Sequence, residues 1–155
     1  MTKTAQTPEI FSSSKTLEPD PLFVRAPVGW TKMPGKGGLG MVALQDIKEG
    51  AVIENCPVII MPVAELQRPD GSGENELGMY AFHWGPEEDE TSVECAVVKG
   101  GMLPLANHSE NPNSDVKQNH PEKLIRWFAL RDIQKGEEVT INYATDLWFD
   151  NQEET

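Results

Sequence analysis

A mostly-β domain is the fold class that this sequence predicts. Its apolar residues come in short stretches cut by Gly and Pro. No long stretch carries a helical period, and many short strands with frequent turn signals are the mark of an all-β architecture. An eight-residue corner also occurs twice, each time between two apolar stretches: Ala43-Leu44-Gln45-Asp46-Ile47-Lys48-Glu49-Gly50 matches Ala129-Leu130-Arg131-Asp132-Ile133-Gln134-Lys135-Gly136 at five of eight positions. In each copy Asp suits the opening of a turn, Ile a plug for the core, and Gly the positive-φ position.

The elements follow in order. Residues 1–21, rich in Thr, Ser, Pro and Glu, read as a flexible arm that cannot bury enough surface to offset its ordering entropy. Residues 22–149 read as one folded domain and 150–155 as a tail. A first strand is expected over 22–28, a glycine-rich turn over 33–40, and a second strand over 41–44. After the first corner, residues 51–61 make a longer strand whose Pro57 predicts an edge position or a bulge, because proline cannot donate to a ladder. One helical turn fits 63–67, a loop 68–73, and an aromatic extended segment 77–84. Further strands are expected over 92–99, in the apolar approach that ends at Asn107-His108, over 124–130 and over 138–143.

Composition excludes several functions. At 155 residues the chain is long enough for one core that buries roughly two-thirds of the unfolded surface. A net charge of −12, with no cluster of Lys or Arg, speaks against nucleic acid and anionic membranes and for a basic protein partner. There is no apolar run of about eighteen residues and no basic-then-apolar start, so an intracellular protein, cytoplasmic or nuclear, is expected. Cys56 and Cys95 show no zinc spacing, and His83 and His120 read as surface or turn residues, so no metal is expected.

Two formal motifs lose their usual meaning in context. Gly35-Lys36-Gly37-Gly38-Leu39-Gly40 satisfies G-x-G-x-x-G, but Met41-Val42-Ala43-Leu44 after it is strand-like. Without a helix there is no N-terminus to hold a pyrophosphate. Asn107-His108-Ser109 offers a hydrolase's residue types without the nucleophile elbow, and neighbours on an extended chain point to opposite sides.

Taken together, Gly38-Leu39-Gly40 before a strand, Asn107-His108-Ser109-Glu110-Asn111-Pro112-Asn113, and Gly136-Glu137-Glu138-Val139-Thr140-Ile141-Asn142-Tyr143 resemble the signature of SET-domain protein lysine methyltransferases. Tyr80-Ala81-Phe82-His83-Trp84 resembles the aromatic segment of compact bacterial and viral members. The resemblance implies a β-clip fold of several small sheets with few short helices and a pseudoknot, in which the Asn107-His108 strand and the Tyr143 segment cross. It implies S-adenosylmethionine held by Gly38, Leu39, Gly40, Asn107 and His108, with Trp148 either packed on the adenine or closing the core, and Tyr143 as the catalytic tyrosine. Tyr80, Phe82 and Leu147 would line the lysine channel. Compact members often carry a second tyrosine four residues after the catalytic one; Leu147 stands there in this sequence and brings no hydroxyl. The implied function is methyl transfer to lysine in a basic protein such as a histone, with homodimers known among compact members. A SET-like module that binds a basic partner without catalysis is the alternative.

Overall fold

A computed structural model describes residues 17–18, 20–23, 25–35, 37–86 and 93–143. Among the described residues, nine strands form two sheets. β1 (Val28–Lys32), β2 (Leu39–Ala43), β9 (Glu138–Ile141) and β6 (Asn107–His108) make a four-stranded sheet in the order β1-β2-β9-β6. β4 (Ala81–Trp84), β5 (Glu94–Val98), β3 (Val52–Pro62), β8 (Leu124–Ala129) and β7 (Ser114–Asn119) make a five-stranded sheet in the order β4-β5-β3-β8-β7. The described helical residues are all in short 3₁₀ turns, so the mostly-β expectation holds. None of the described helices is long and apolar enough to cross a membrane. The five-stranded sheet curls until its outer strands meet: the rings of Trp84 and His120 lie 4.6 Å apart, and Gly85 N–H donates to Gln118 Oε1 at 3.0 Å. Between the sheets sits one core, with Met41, Ile53, Leu103, Trp127, Ile133 and Val139 fully buried.

The two echoed corners are not independent turns. Each carries the chain between the two sheets, and they dock on each other about a local pseudo-twofold relation. Ile47 and Ile133 exchange backbone hydrogen bonds of 2.8 Å in both directions. Asp46 Oδ1 accepts Lys135 N–H at 2.8 Å, and in the matching place Asp132 Oδ1 accepts Glu49 N–H at 2.8 Å. Gly50 and Gly136 occupy matching positive-φ positions, at 78° and 88°, and donate to Ala129 O and Ala43 O respectively. So each Asp caps the opposite corner. The Glu49 N–H, and next the Lys48 ammonium 3.6 Å away, hold the Asp132 carboxyl below its ordinary range.

Four strand expectations are corrected. The first strand begins at Val28, not residue 22, because Asp20 closes a local turn: its carboxylate accepts Leu22 N–H and its carbonyl accepts Phe23 N–H. The segment 77–84 is extended only from Ala81. Before it, Asn75 caps a 3₁₀ turn over Glu76–Tyr80 by accepting Leu77 N–H at 3.0 Å. The approach to Asn107 is a 3₁₀ turn at Leu103–Leu105 with Pro104 inside it, and only Asn107–His108 are paired as a strand. Pro57 lies in the central strand of the larger sheet, and the register irregularity falls at Val52/Glu54 instead. The strand tolerates it because β3 pairs with β8 up to Pro57 and with β5 from Val58 on, so the missing N–H coincides with the change of partner.

β7 carries no apolar alternation (Ser-Asp-Val-Lys-Gln-Asn) and was not foreseeable from periodicity. Its place is set by Ser114, fully buried, whose hydroxyl accepts Trp127 Nε1–H at 2.8 Å and donates to Thr140 O at 2.6 Å.

Candidate active site

The site is built where β6 and β9 run side by side in parallel, Asn107 opposite Thr140 and His108 opposite Ile141. Beyond β6 the chain crosses over β9 and grips it. Ser109 N–H donates to Ile141 O at 2.9 Å. Asn113, 3% exposed, donates its amide to Glu138 O at 2.7 Å and accepts Thr140 N–H on Oδ1 at 2.9 Å. One side chain thus takes both roles of a missing strand neighbour. This is why Asn-Pro-Asn follows the short β6: a side-chain amide satisfies a buried peptide group where no further strand can fit.

The approach to β6 is held from behind by Glu54, a buried carboxylate on β3. Its Oε2 accepts Met102 N–H at 2.7 Å, Leu103 N–H at 3.3 Å and the Cys56 thiol at 3.3 Å. Burial, and then the charge of Glu54, push the Cys56 thiol well above its ordinary range, so it serves as a donor and not as a nucleophile.

Asn107 joins three segments. Its Nδ2 donates to Leu39 O at 3.1 Å and to Glu138 Oε1 at 2.8 Å, linking β6 to the glycine-rich entry of β2 and to β9. Both amide hydrogens are used inside the protein, so any hold on a ligand falls to Oδ1 and the main chain. Gly40 is required by this arrangement. A Cβ there would lie 2.7 Å from Asn107 Nδ2 and 2.6 Å from Met33 Cε. Met33 can bend away, but an amide tied at two points cannot. Gly40→Ala is therefore expected to displace Asn107 at a stability cost of about 1–3 kcal/mol. Thermal unfolding checks it, and an unchanged Tm would mean that the Asn107 amide yields without cost.

His108 and Tyr143 meet although they are far apart in sequence. The His108 side chain is 4% exposed. Its Nδ1 accepts the backbone N–H of Tyr143 at 3.0 Å, and its Nε2 lies 3.0 Å from Glu110 Oε1. The rings sit edge to face with centroids 5.3 Å apart. The Tyr143 hydroxyl donates to Ala106 O at 3.0 Å. The tyrosine is therefore fixed at both ends by one short segment, its backbone at His108 and its hydroxyl at Ala106.

Of the residues singled out from sequence, Leu39, Gly40, Asn107, His108 and Tyr143 come together here. Gly38 borders them with open space around it. Tyr80 ends the 3₁₀ turn before the other sheet's edge strand and is half-exposed, while Phe82 lies in that strand, opposite Ala96 and packed on the core. Leu147 and Trp148 lie outside the described residues. Asn113, Glu138, Ala106 and Glu110 take part without having been assigned roles from sequence; Asn113 and Glu138 stood inside the quoted motifs, whereas Ala106 contributes only a carbonyl and left no signal. No group of three or more metal-ligating side chains occurs among the described residues.

Comparison with known proteins points to one family. The family model described as the SET domain matches residues 38–144. A Schizosaccharomyces pombe protein named as a histone-lysine N-methyltransferase specific for H3 lysine-37 is 27% identical over 115 residues, covering 74% of this chain and 72% of that protein. A Mycosarcoma maydis histone-lysine N-methyltransferase specific for H3 lysine-36 is 34% identical over 122 residues, covering 77% of this chain but 12% of that protein. The chain thus spans most of the first relative and a small part of the second. Among solved structures, a Plasmodium falciparum chain described as a candidate histone methyltransferase superposes with a TM-score of 0.59 at 25% identity, covering 81% of this chain and all of that one. By the extent of the family match, the chain belongs to the SET-domain family.

Proposed function

We propose that this chain is a protein-lysine methyltransferase that uses S-adenosylmethionine and acts on a lysine of a basic protein, histone H3 being the first substrate to try. The observation that carries this reading is the double fixing of Tyr143 by His108 and Ala106 at the β6–β9 crossing. The names of the relatives, histone-lysine N-methyltransferases, support the substrate class.

The residues present fit the methyl donor. Gly38 exposes backbone with nothing within 4 Å of where a Cβ would be, beside the Leu39 O–Asn107 link. Gly38, Leu39, Gly40, Asn107 and His108 would hold it through their main chain and Asn107 Oδ1. When bound, S-adenosylmethionine supplies a methyl group already activated on a positively charged sulfur. The protein's task is then positioning, for which neither a metal nor a covalent nucleophile is needed.

Tyr143 orients the reacting groups through its hydroxyl, which the Ala106 carbonyl fixes. It is no strong base, since phenols titrate near about 10. The lysine must lose its proton first: at a pKa of about 10.4, about one molecule in a thousand is neutral at about pH 7.4. An apolar channel favours the neutral amine. The same reading assigns Tyr80, Phe82 and Leu147 to that channel and Trp148 to the adenine. The charge of −12 favours approach of a Lys- and Arg-rich tail.

The test is titration with S-adenosylmethionine followed by transfer of a labelled methyl group to core histones and to a mixture of other basic proteins. Saturable binding with label on lysine is expected. Absence of binding at high micromolar concentration would sink the reading, and binding without transfer to any basic protein would leave a non-catalytic binding module in its place.

A further inference from the structure

Glu110, at the rim of the site, has no role in the positioning derived so far, yet its carboxylate is the second partner of the His108 ring. A neutral imidazole has one donor nitrogen and one acceptor nitrogen. The backbone N–H of Tyr143 can only donate, and it points at Nδ1 from 3.0 Å, so Nδ1 must be the acceptor. The ring proton is then on Nε2, 3.0 Å from Glu110 Oε1, and a carboxylate can only accept. Each end of the ring dictates what the other must be. An imidazolium, or the opposite tautomer, would set an N–H of the ring against the N–H of Tyr143.

We propose that Glu110 is a positioning residue for Tyr143, acting through the tautomer of the buried His108. The inference rests on the reading of Tyr143 as the residue at the reacting groups. The geometry makes the effect directional. Glu110 lies at the solvent rim, its side chain 54% exposed, while His108 is 4% exposed and spans the distance to the tyrosine's backbone. Ala106 and His108 hold the two ends of Tyr143 from one segment, so a ring of the wrong tautomer turns the phenol out of line instead of unfolding the domain. The carboxylate of Glu138, on β9, is engaged by the Asn107 amide.

The test has a spectroscopic arm and a kinetic arm, both on the full chain. Long-range proton–nitrogen NMR of ¹⁵N-histidine protein should show the His108 proton on Nε2 with Nδ1 bare. In assays with labelled S-adenosylmethionine and core histones, Glu110→Ala should lower kcat about three- to tenfold with KM for both substrates changed by less than about twofold. Glu110→Gln keeps an acceptor oxygen and should recover most of that loss. Glu110→Lys puts a donor at Nε2, should move the ring proton to Nδ1, and should lower kcat more than about tenfold. The proposal is overturned if the wild-type ring carries its proton on Nδ1, or if Gln, Ala and Lys behave alike. Failure of the function itself is separable: a chain that methylates nothing still gives the NMR answer, whereas an active chain whose ring has the opposite tautomer loses this inference alone.

Discussion

Tyr143→Phe should lower methyl transfer by at least about a hundredfold while changing the affinity for S-adenosylmethionine by less than about threefold. The phenol makes two kinds of contact, and the substitution separates them. Its edge-to-face packing on His108 and the backbone bond to Nδ1 do not involve the hydroxyl, so phenylalanine keeps the ring near its place. The hydroxyl bonded to Ala106 O is lost, and with it the only part of the side chain that can orient a reacting group by hydrogen bonding. Leu39, Gly40 and Asn107, the candidates for cofactor binding, are untouched. The effect should therefore fall on kcat, which single-turnover assays with labelled cofactor would measure. Normal turnover by the variant would remove Tyr143 from the chemistry.

A clear loss of stability is expected at Asn113, outside the apolar core. Asn113→Ala leaves the buried Thr140 N–H without the Asn113 carbonyl and takes the Asn113 amide away from Glu138 O. A buried backbone N–H left unpaired costs about 1–3 kcal/mol, which is the loss expected at Thr140. For a domain of this size that is a fall in Tm of about 2–12 °C. Activity should fall as well, because Asn113 holds the strand that delivers Tyr143 two residues beyond its end. Thermal unfolding followed by circular dichroism checks the first effect. A variant within about 0.5 kcal/mol of the parent would mean that the ladders of β9 with β2 and β6 hold the strand unaided.

Much of the fold was legible because local chemistry decides it. Strand–turn alternation, the strand after the glycine-rich turn and the positive-φ glycines at the two corners depend on residues within a few positions of one another. The misreadings have the same root. Leu77 to Tyr80 look extended by composition, but the Asn75 cap redirects them into a 3₁₀ turn. β7 looks like loop because its key residue, Ser114, is polar and earns burial only by bonding Trp127 and Thr140, far away in sequence. Pro57 looks like an edge marker, and only the division of β3 between two partners makes it acceptable in a central strand.

The site divides along the same line. The motifs Gly38-Leu39-Gly40, Asn107-His108 and Tyr143 could be singled out along the sequence by their resemblance to a family pattern. Their pairing could not be read that way. That each Asp caps the other's corner, that Asn113 stands in for a strand, and that Ala106 and His108 hold the two ends of Tyr143 are hydrogen bonds between segments remote in sequence. Donors and acceptors are set residue by residue along the chain. Which of them meet depends on the crossing of β6 and β9, where burial leaves each polar group only the partner that the fold brings to it.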